Sequence, residues 1–226
     1  MRKSGKPKPV RITPPEAPEV GEYAAEAPDL RGRFAHEDLR LRDADLSESS
    51  APGVRLERVL MERVMLARAN LRTAVVQDGR FEGCDAAGSR WDQAHLTRVE
   101  MDGCRLLGAG FSRATFSDLR VRDVNAEMAM FIGAAFTAAR FERCNFRGAS
   151  FQGADLRNVV FRDCDLRTAD LREARVEGTD LRGSNIAGMA VDLGRLRGLV
   201  LDPAQAMDIV AQMGVTVKSL EEGDEA

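Results

Sequence analysis

Every fifth residue from Leu41 to Leu201 is large and apolar, and this period decides what the chain can fold into. Of the 33 positions, 30 are Leu, Phe, Met, Val, Ile or Trp, with Ala51, Ala86 and Ala126 as exceptions. The column two residues earlier, Leu39 to Leu199, holds mostly Ala, Val, Cys, Ser, Thr and Gly. None of these 66 positions is charged, although a 31% charged chain would place about twenty charges there by chance. The segment's 48 charges all lie in the other 97 positions. A helix buries positions three and four apart and a flat strand buries alternate ones, so neither repeats every five. Two inward residues flanking one outward residue make a short extended piece, and two more outward residues carry the chain around a corner. Twelve of the 20 glycines lie two residues after the large apolar position, where a turn calls for unusual backbone angles. A chain that keeps turning in one sense is a solenoid.

The number of sides follows from sorting the small column by twenties. One row reads Ala44, Val64, Cys84, Cys104, Val124, Cys144, Cys164, Ser184, while another is nearly all alanine from Ala74 to Ala174. Rows segregate by size only if residues twenty apart stack, which gives four faces per coil. The body then makes about eight coils, a rod of roughly 40 Å at the ~4.8 Å spacing of paired strands. Aromatics are only 5% of the chain, so a conventional large-aromatic core is not expected, and the core is a column of stacked side chains. Trp91, Phe141, Phe161 and the four cysteines are expected inside it. The register runs without an inserted loop from Leu41 to Leu201.

The copies Ala69-Asn70-Leu71, Ala154-Asp155-Leu156, Cys164-Asp165-Leu166, Ala169-Asp170-Leu171 and Thr179-Asp180-Leu181 resemble the pentapeptide-repeat family, over about residues 39–201. The resemblance implies an all-β fold, a right-handed quadrilateral β-helix with a C-terminal α-helical cap. Four regions are expected: a flexible Pro-rich arm at 1–30, the β-helix at 31–201, a capping and dimerisation helix with a short strand at 202–217, and an acidic tail at 218–226. Seven of the eight prolines fall in the arm, which is either a solvated leader or a segment that orders on a partner.

Asp202-Pro203-Ala204-Gln205 has the form of a helix start, with Asp as N-cap, Pro at the first position and Gln three after the cap. The helix should run to about Met213 and stop at Gly214. Ala206, Val210 and Met213 share one face, with Met207 alongside and Ile209 off the stripe. One face would seal the last coil while another meets a second copy, and Val215-Thr216-Val217 would add a short strand. The ending is similar to that of the family's mycobacterial fluoroquinolone-resistance members, with Gln205, Ala206 and Gly214 as the matching residues. That similarity implies a homodimer through this end.

No catalytic, cofactor or metal site emerges. Cys84, Cys104, Cys144 and Cys164 share one inward row, so their thiols point in parallel rather than converging tetrahedrally on an ion. They read as small hydrophobes in a dry core. Only two histidines are present: His36, ahead of the repeat, and outward-facing His95. Carboxylates such as Asp155, Asp165, Asp170 and Asp180 precede a large core residue and stand near Arg157, Arg167, Arg172 and Arg182, a solvated lattice rather than a catalytic pair. One surface feature departs from the pattern. Met128, Met130 and Ile132 all point outward around Ala126, with Leu107 near the same edge and glycine or small polar neighbours one coil away. This edge is open to two readings, a partner site or local repacking over a thin core.

No run reaches the ~18 apolar residues of a membrane helix, and the N-terminus lacks a signal peptide's apolar core. Four cysteines are too few for a disulfide scaffold, so cytoplasmic residence is expected. The family resemblance extends to Qnr-type and mycobacterial members that act on DNA gyrase, which implies a non-enzymatic protein that binds a type II topoisomerase and protects it against quinolones or natural-product poisons. The body carries 25 arginines against 23 acids, so it lacks the acidic stripe of a DNA mimic. That balance also argues against direct nucleic-acid binding. The alternative is a structural or adaptor solenoid with another protein partner and no topoisomerase role.

Overall fold

The computed structural model describes residues 10–18, 23–24 and 35–217. The backbone turns at every fifth residue from Asp38 to Gly188, where φ is positive at each position; eleven of these residues are glycine and twenty are not. Where Leu46, Ala51, Leu66 and Leu71 lead into a corner, the residue three later closes it, as Ser49 N–H does on the Leu46 carbonyl at 3.3 Å. A residue with positive φ at the third place of such a turn is the type II geometry that favours glycine. Arg68, Thr73 and Met128 adopt it here, held by inter-coil ladder bonds on both sides of the corner.

Strands β1 (Ala35–Glu37), β2 (Arg40–Arg42), β3 (Arg55–Glu62), β4 (Val75–Glu82), β5 (His95–Asp102), β6 (Thr115–Arg122), β7 (Ala135–Glu142) and β8 (Val160–Arg162) form one parallel sheet. Each pairs with the segment twenty residues away, from Ala35↔Arg55 through Glu142↔Arg162. Isolated bridges carry the same step along the other two sides and on to Asp180↔Val200. The result is a parallel β-solenoid with four corners per coil. Six successive coils carry β3 to β8. The ladder starts earlier than the apolar register suggested: His36 pairs with Leu56, so it lies within the first coil rather than ahead of it.

Strands β3 to β7 are longer than the short extended pieces that a five-residue period implies. Each runs eight residues because it bends through one corner, at Arg58, Asp78, Arg98, Asp118 and Ala138, without a closing turn bond. The residue after these corners is Val59, Val99 or Leu119 in three of the five coils, whereas the closed corners are followed by Ser49, Val54, Ala69 or Ala74. Gly79 and Ala139 follow the other two open corners, and at Gly79 the small residue has a steric reason. A Cβ there would stand 2.8 Å from Val76 and 3.0 Å from Phe81.

The large column is buried from Leu41 to Ile186, and the small column from Val54 to Met189. Trp91, Phe111, Phe131 and Phe151 stack along one row with centroid separations of 6.1, 5.2 and 4.9 Å. Phe141 and Phe161 stack at 4.9 Å on another. Few as they are, the aromatics concentrate in the middle coils and fill them. Ala86 leaves room for Trp91, whose Nε1–H donates to Ser89 Oγ at 2.9 Å while that hydroxyl donates to the Ala86 carbonyl at 2.6 Å. A buried indole thereby keeps its partner.

The apolar register persists to Leu201, but the backbone leaves it. Leu193–Arg195 forms a 3₁₀ turn in place of a corner, and Val191, Leu196 and Leu201 are only partly buried. Helix α1 (Pro203–Gln212) then covers the end, with Met213 as its C-cap and Gly214 at φ 75°. No strand forms at Val215-Thr216-Val217, which is exposed coil.

Candidate interaction surfaces

Met128, Met130 and Ile132 are 60%, 44% and 41% exposed, beside half-buried Leu107 on the preceding coil. The ladder places Met130 between Gly110 and Ser150. Glycine on the adjacent coils lets the thioethers lie flat: Met128 Sδ occupies the space where a Cβ on Gly148 would sit, 2.6 Å from it, and Met130 Cε is 3.8 Å from that of Gly110. Beneath them Ala126 is fully buried, and the void among Leu106, Phe131 and Phe146 measures only about 10 Å³. The core under this edge is already closed by aromatic rings. Flexible thioethers on an apolar surface suit contact with a partner.

At the other candidate surface the helix is rotated from the expected stripe. Gln205 and Ile209 face the last coil, whereas Ala206, Met207 and Met213 are exposed and Val210 is half-buried. The seal is largely polar. Gln205 Nε2 donates to the carbonyls of Leu181 and Ser184 at 2.6 and 2.7 Å, and Gln212 Nε2 to that of Met189 at 3.1 Å. The same Gln205 accepts from Asp202 N–H through Oε1, and Asp202 accepts from Gln205 N–H, each at 3.0 Å. An end coil presents carbonyls with no next coil to bond, so amide donors fit it better than methyl groups. This leaves Met207, Met213, Val215 and Val217 as an exposed apolar group at the tip.

Sequence reasoning missed a third surface, formed within the chain. Thr13 N–H donates to Asp118 Oδ1 at 2.9 Å and Glu16 N–H to Asp78 Oδ1 at 3.0 Å, with Pro15 buried between them. Further along, Tyr23 O–H donates to Glu62 at 2.7 Å, Arg42 and Arg40 stand 4.0 and 4.8 Å from its ring centre, and Ala24 N–H reaches the Arg40 carbonyl. The described part of the expected flexible arm therefore lies along the rod. Its track is one corner row, Asp38, Arg58, Asp78, Arg98, Asp118, in which charge alternates. Arg58 forks onto Asp38, and Arg98 onto Asp78 with both contacts at 2.6 Å. Burial pushes the Asp78 carboxyl up, but the Arg98 fork and the Glu16 amide outweigh it and hold the group below the usual aspartate value. That alternation was the signal available in the sequence. The remainder of the arm and the acidic tail fall outside the described residues.

All four cysteines are buried with free thiols, each within reach of backbone carbonyls, as Cys84 Sγ is of the Met61 carbonyl at 3.3 Å. The bond with Cys84 and then burial push the Cys104 thiol far up, and Cys144 stands likewise beside Cys164. Held protonated and facing inward, Cys104 and Cys144 are poor ligands. Among the described residues no group of three or more His, Cys, Asp or Glu is placed to hold a metal. His95 Nδ1 is hydrogen-bonded to Thr115 Oγ1 at 2.7 Å. Asp155, Asp165, Asp170 and Asp180 each take a forked contact from the arginine two residues on, and each also accepts that arginine's own N–H. No helix among the described residues is long and apolar enough to cross a membrane.

Family models for the pentapeptide repeat match the chain at residues 40–78, 74–151, 94–171 and 124–201. No curated protein matches it significantly. Among solved structures, full-length QnrB1, a plasmid-mediated fluoroquinolone resistance protein, is similar at 20% identity and TM-score 0.39, covering 79% of this chain and 89% of that one. HetL, involved in heterocyst differentiation regulation in the cyanobacterium Nostoc sp. strain PCC 7120, is similar at 18% identity and TM-score 0.22, covering 74% and 88%. Rfr23 from the cyanobacterium Cyanothece 51142 is 23% identical with TM-score 0.23, covering 48% and 64%.

Proposed function

This chain belongs to the pentapeptide-repeat family, and from that premise we propose that it is a non-enzymatic rod that binds DNA gyrase or a related type II topoisomerase and alters its response to poisons such as quinolones. The observation that supports docking is the exposed edge of Met128, Met130 and Ile132, which stands on a core that needs no further cover. The backbone beneath them is already fixed, so covering them orders side chains alone, at about 0.5–1.5 kcal/mol for each rotamer-rich one. The gyrase assignment comes from the family resemblance, and it casts the rod as a local, apolar contact rather than an acidic mimic of DNA. We also place a homodimer contact at the C-terminal tip, where Met207, Met213, Val215 and Val217 leave apolar surface uncovered.

A second reading is favoured by the charge lattice. Arginine is forked onto a carboxylate one coil away at Arg58, Arg63, Arg98 and Arg143, and within the coil at Arg157, Arg167, Arg172 and Arg182. Charges neutralised in pairs give little long-range steering toward a basic DNA-binding groove. An adaptor that docks another protein through the same methionine edge fits this surface. Titrating the protein into gyrase supercoiling and drug-stabilised cleavage assays separates the two. Suppressed cleavage or inhibited supercoiling supports the topoisomerase reading, and no effect up to tens of micromolar, about −6 to −7 kcal/mol, leaves the adaptor.

A further inference from the structure

At Arg195 the twenty-residue ladder loses both bonds of a face residue, and this departure opens a cleft. In regular coils a face residue gives its N–H to the carbonyl 21 residues earlier, as Arg175 does to Ala154 at 2.9 Å, and Leu156 N–H reaches the Arg175 carbonyl, also at 2.9 Å. One coil on, Arg195 N–H turns instead to the Asp192 carbonyl at 2.8 Å, within the 3₁₀ turn Leu193–Arg195. Among the described residues the bonds from Arg195 to Ala174 and from Val176 to Arg195 are not made. Gly178 N–H bonds the Gly198 carbonyl, where the pattern set by Asn158 and Glu177 calls for Arg197. The chain has lifted off the face it should cover. What remains is an open cleft of about 310 Å³ floored by Ala174 and Val176 and walled by Arg157, Arg175, Arg195, Arg197 and Glu177.

Four guanidinium groups and one carboxylate line this space. Asp155 holds Arg157 with contacts of 2.8 and 2.6 Å but meets Arg175 only at 3.5 Å. Arg195 lies 3.8 Å from Asp192, and Arg197 has no ion pair among the described residues. Elsewhere many arginines are forked closely onto a carboxylate, as Arg63, Arg98 and Arg143 are, and the loosely paired ones such as Arg72 and Arg90 do not surround a cleft. Here positive charge exceeds the carboxylate supply beside a buried Val176 amide that has lost its ladder acceptor. One oxyanion with several acceptor oxygens satisfies both needs, through forked guanidinium contacts and the amide. We propose that this cleft binds the phosphate or pyrophosphate group of a small phosphorylated molecule. A double negative charge and three or more acceptors match three under-compensated arginines better than a single carboxylate does, and the volume exceeds that of one phosphate group.

The test is calorimetric titration of the full chain with inorganic pyrophosphate at about 0.15 M ionic strength. Saturable binding at one site per chain is expected, weakened about tenfold by Arg197→Gln and about a hundredfold by Arg175→Gln with Arg197→Gln, since each loses a charge-assisted contact. Both side chains are exposed, and unchanged circular dichroism shows that the variants fold. Absence of saturable heat up to about 10 mM, or variants that bind as the parent does, would overturn the assignment. The chain's own acidic tail is the other source of oxyanions. Neutralising it with Glu221→Gln, Glu222→Gln, Asp224→Asn and Glu225→Gln should leave pyrophosphate affinity unchanged, and a gain of tenfold or more would reassign the cleft to the tail's carboxylates. None of these readouts involves gyrase, so this site and the docking edge stand or fall separately.

Discussion

Asp78 shows how much a single corner residue can hold. Its carboxylate is buried, forked by Arg98 and capped by the Glu16 amide. Removing one partner of a fully buried pair costs ~3–5 kcal/mol, and because Arg98 keeps about a quarter of its side-chain exposure the expected loss for Asp78→Asn is about 2 kcal/mol. The pH dependence has a definite sign. The folded-state pKa lies below the unfolded value, so this stability is fully present above the ordinary aspartate pKa and is lost as pH falls through the lower folded value. Urea unfolding should therefore separate parent and variant at pH 7, with the gap beginning to close only as pH falls below about 4. A gap that persists undiminished at pH 3 would mean that ionisation is not what Asp78 contributes. The corner glycines were legible because their spacing exposes the need for positive φ. The twenty non-glycine corners were not, since residue type alone disfavours a backbone angle that the ladder imposes.

At the level of elements, helix α1 was readable in its bounds and not in its rotation. Asp202, Pro203, Gln205 and Gly214 mark start and stop by local chemistry, and local chemistry is what a sequence displays. Which face turns inward depends on what the solenoid's last coil offers, and it offers carbonyls. Hence Gln205 points inward with Ile209 while exposed Gln212 reaches the Met189 carbonyl, and the apolar stripe of Ala206, Val210 and Met213 does not turn in. Gln205→Ala removes two buried contacts and half of the capping box, an expected cost of about 2–3 kcal/mol. Because coils contact only their neighbours, faster hydrogen exchange should appear at Leu181–Met189 and leave the β3–β7 coils unchanged. Uniform acceleration along the rod would contradict that local picture. The N-terminal arm teaches the reverse lesson, for its prolines left a leader or a partner-ordered segment open while its contacts lie on the rod, up to 105 positions away. Deleting residues 1–24 should lower the urea midpoint while leaving far-ultraviolet circular dichroism intact, and an unchanged midpoint would show the arm's contacts to be energetically silent.

For the whole molecule, the repeat made the solenoid legible because a five-residue period leaves few other ways to segregate apolar and charged residues. The candidate docking edge was legible for the same reason, as Met128, Met130 and Ile132 break that segregation. The cleft at Arg195 was not, because its cause is a backbone departure beneath an apolar register that continues to Leu201. Outside the arginine cleft the charge lattice holds the rod's surface near neutrality, so docking of a protein partner is expected to rest on local shape and apolar contact. Covering the half-exposed side chains at the edge would contribute about 1 kcal/mol each, or about 3 kcal/mol together.

The most direct measurement is a binding isotherm of purified gyrase with the parent protein and with the triple variant Met128→Ser, Met130→Ser and Ile132→Ser. The account predicts saturable binding by the parent and about a hundredfold weakening in a variant that keeps its circular dichroism and unfolding midpoint. Equal affinities for the two proteins would contradict docking through this edge, and absence of binding by the parent would contradict the topoisomerase assignment itself.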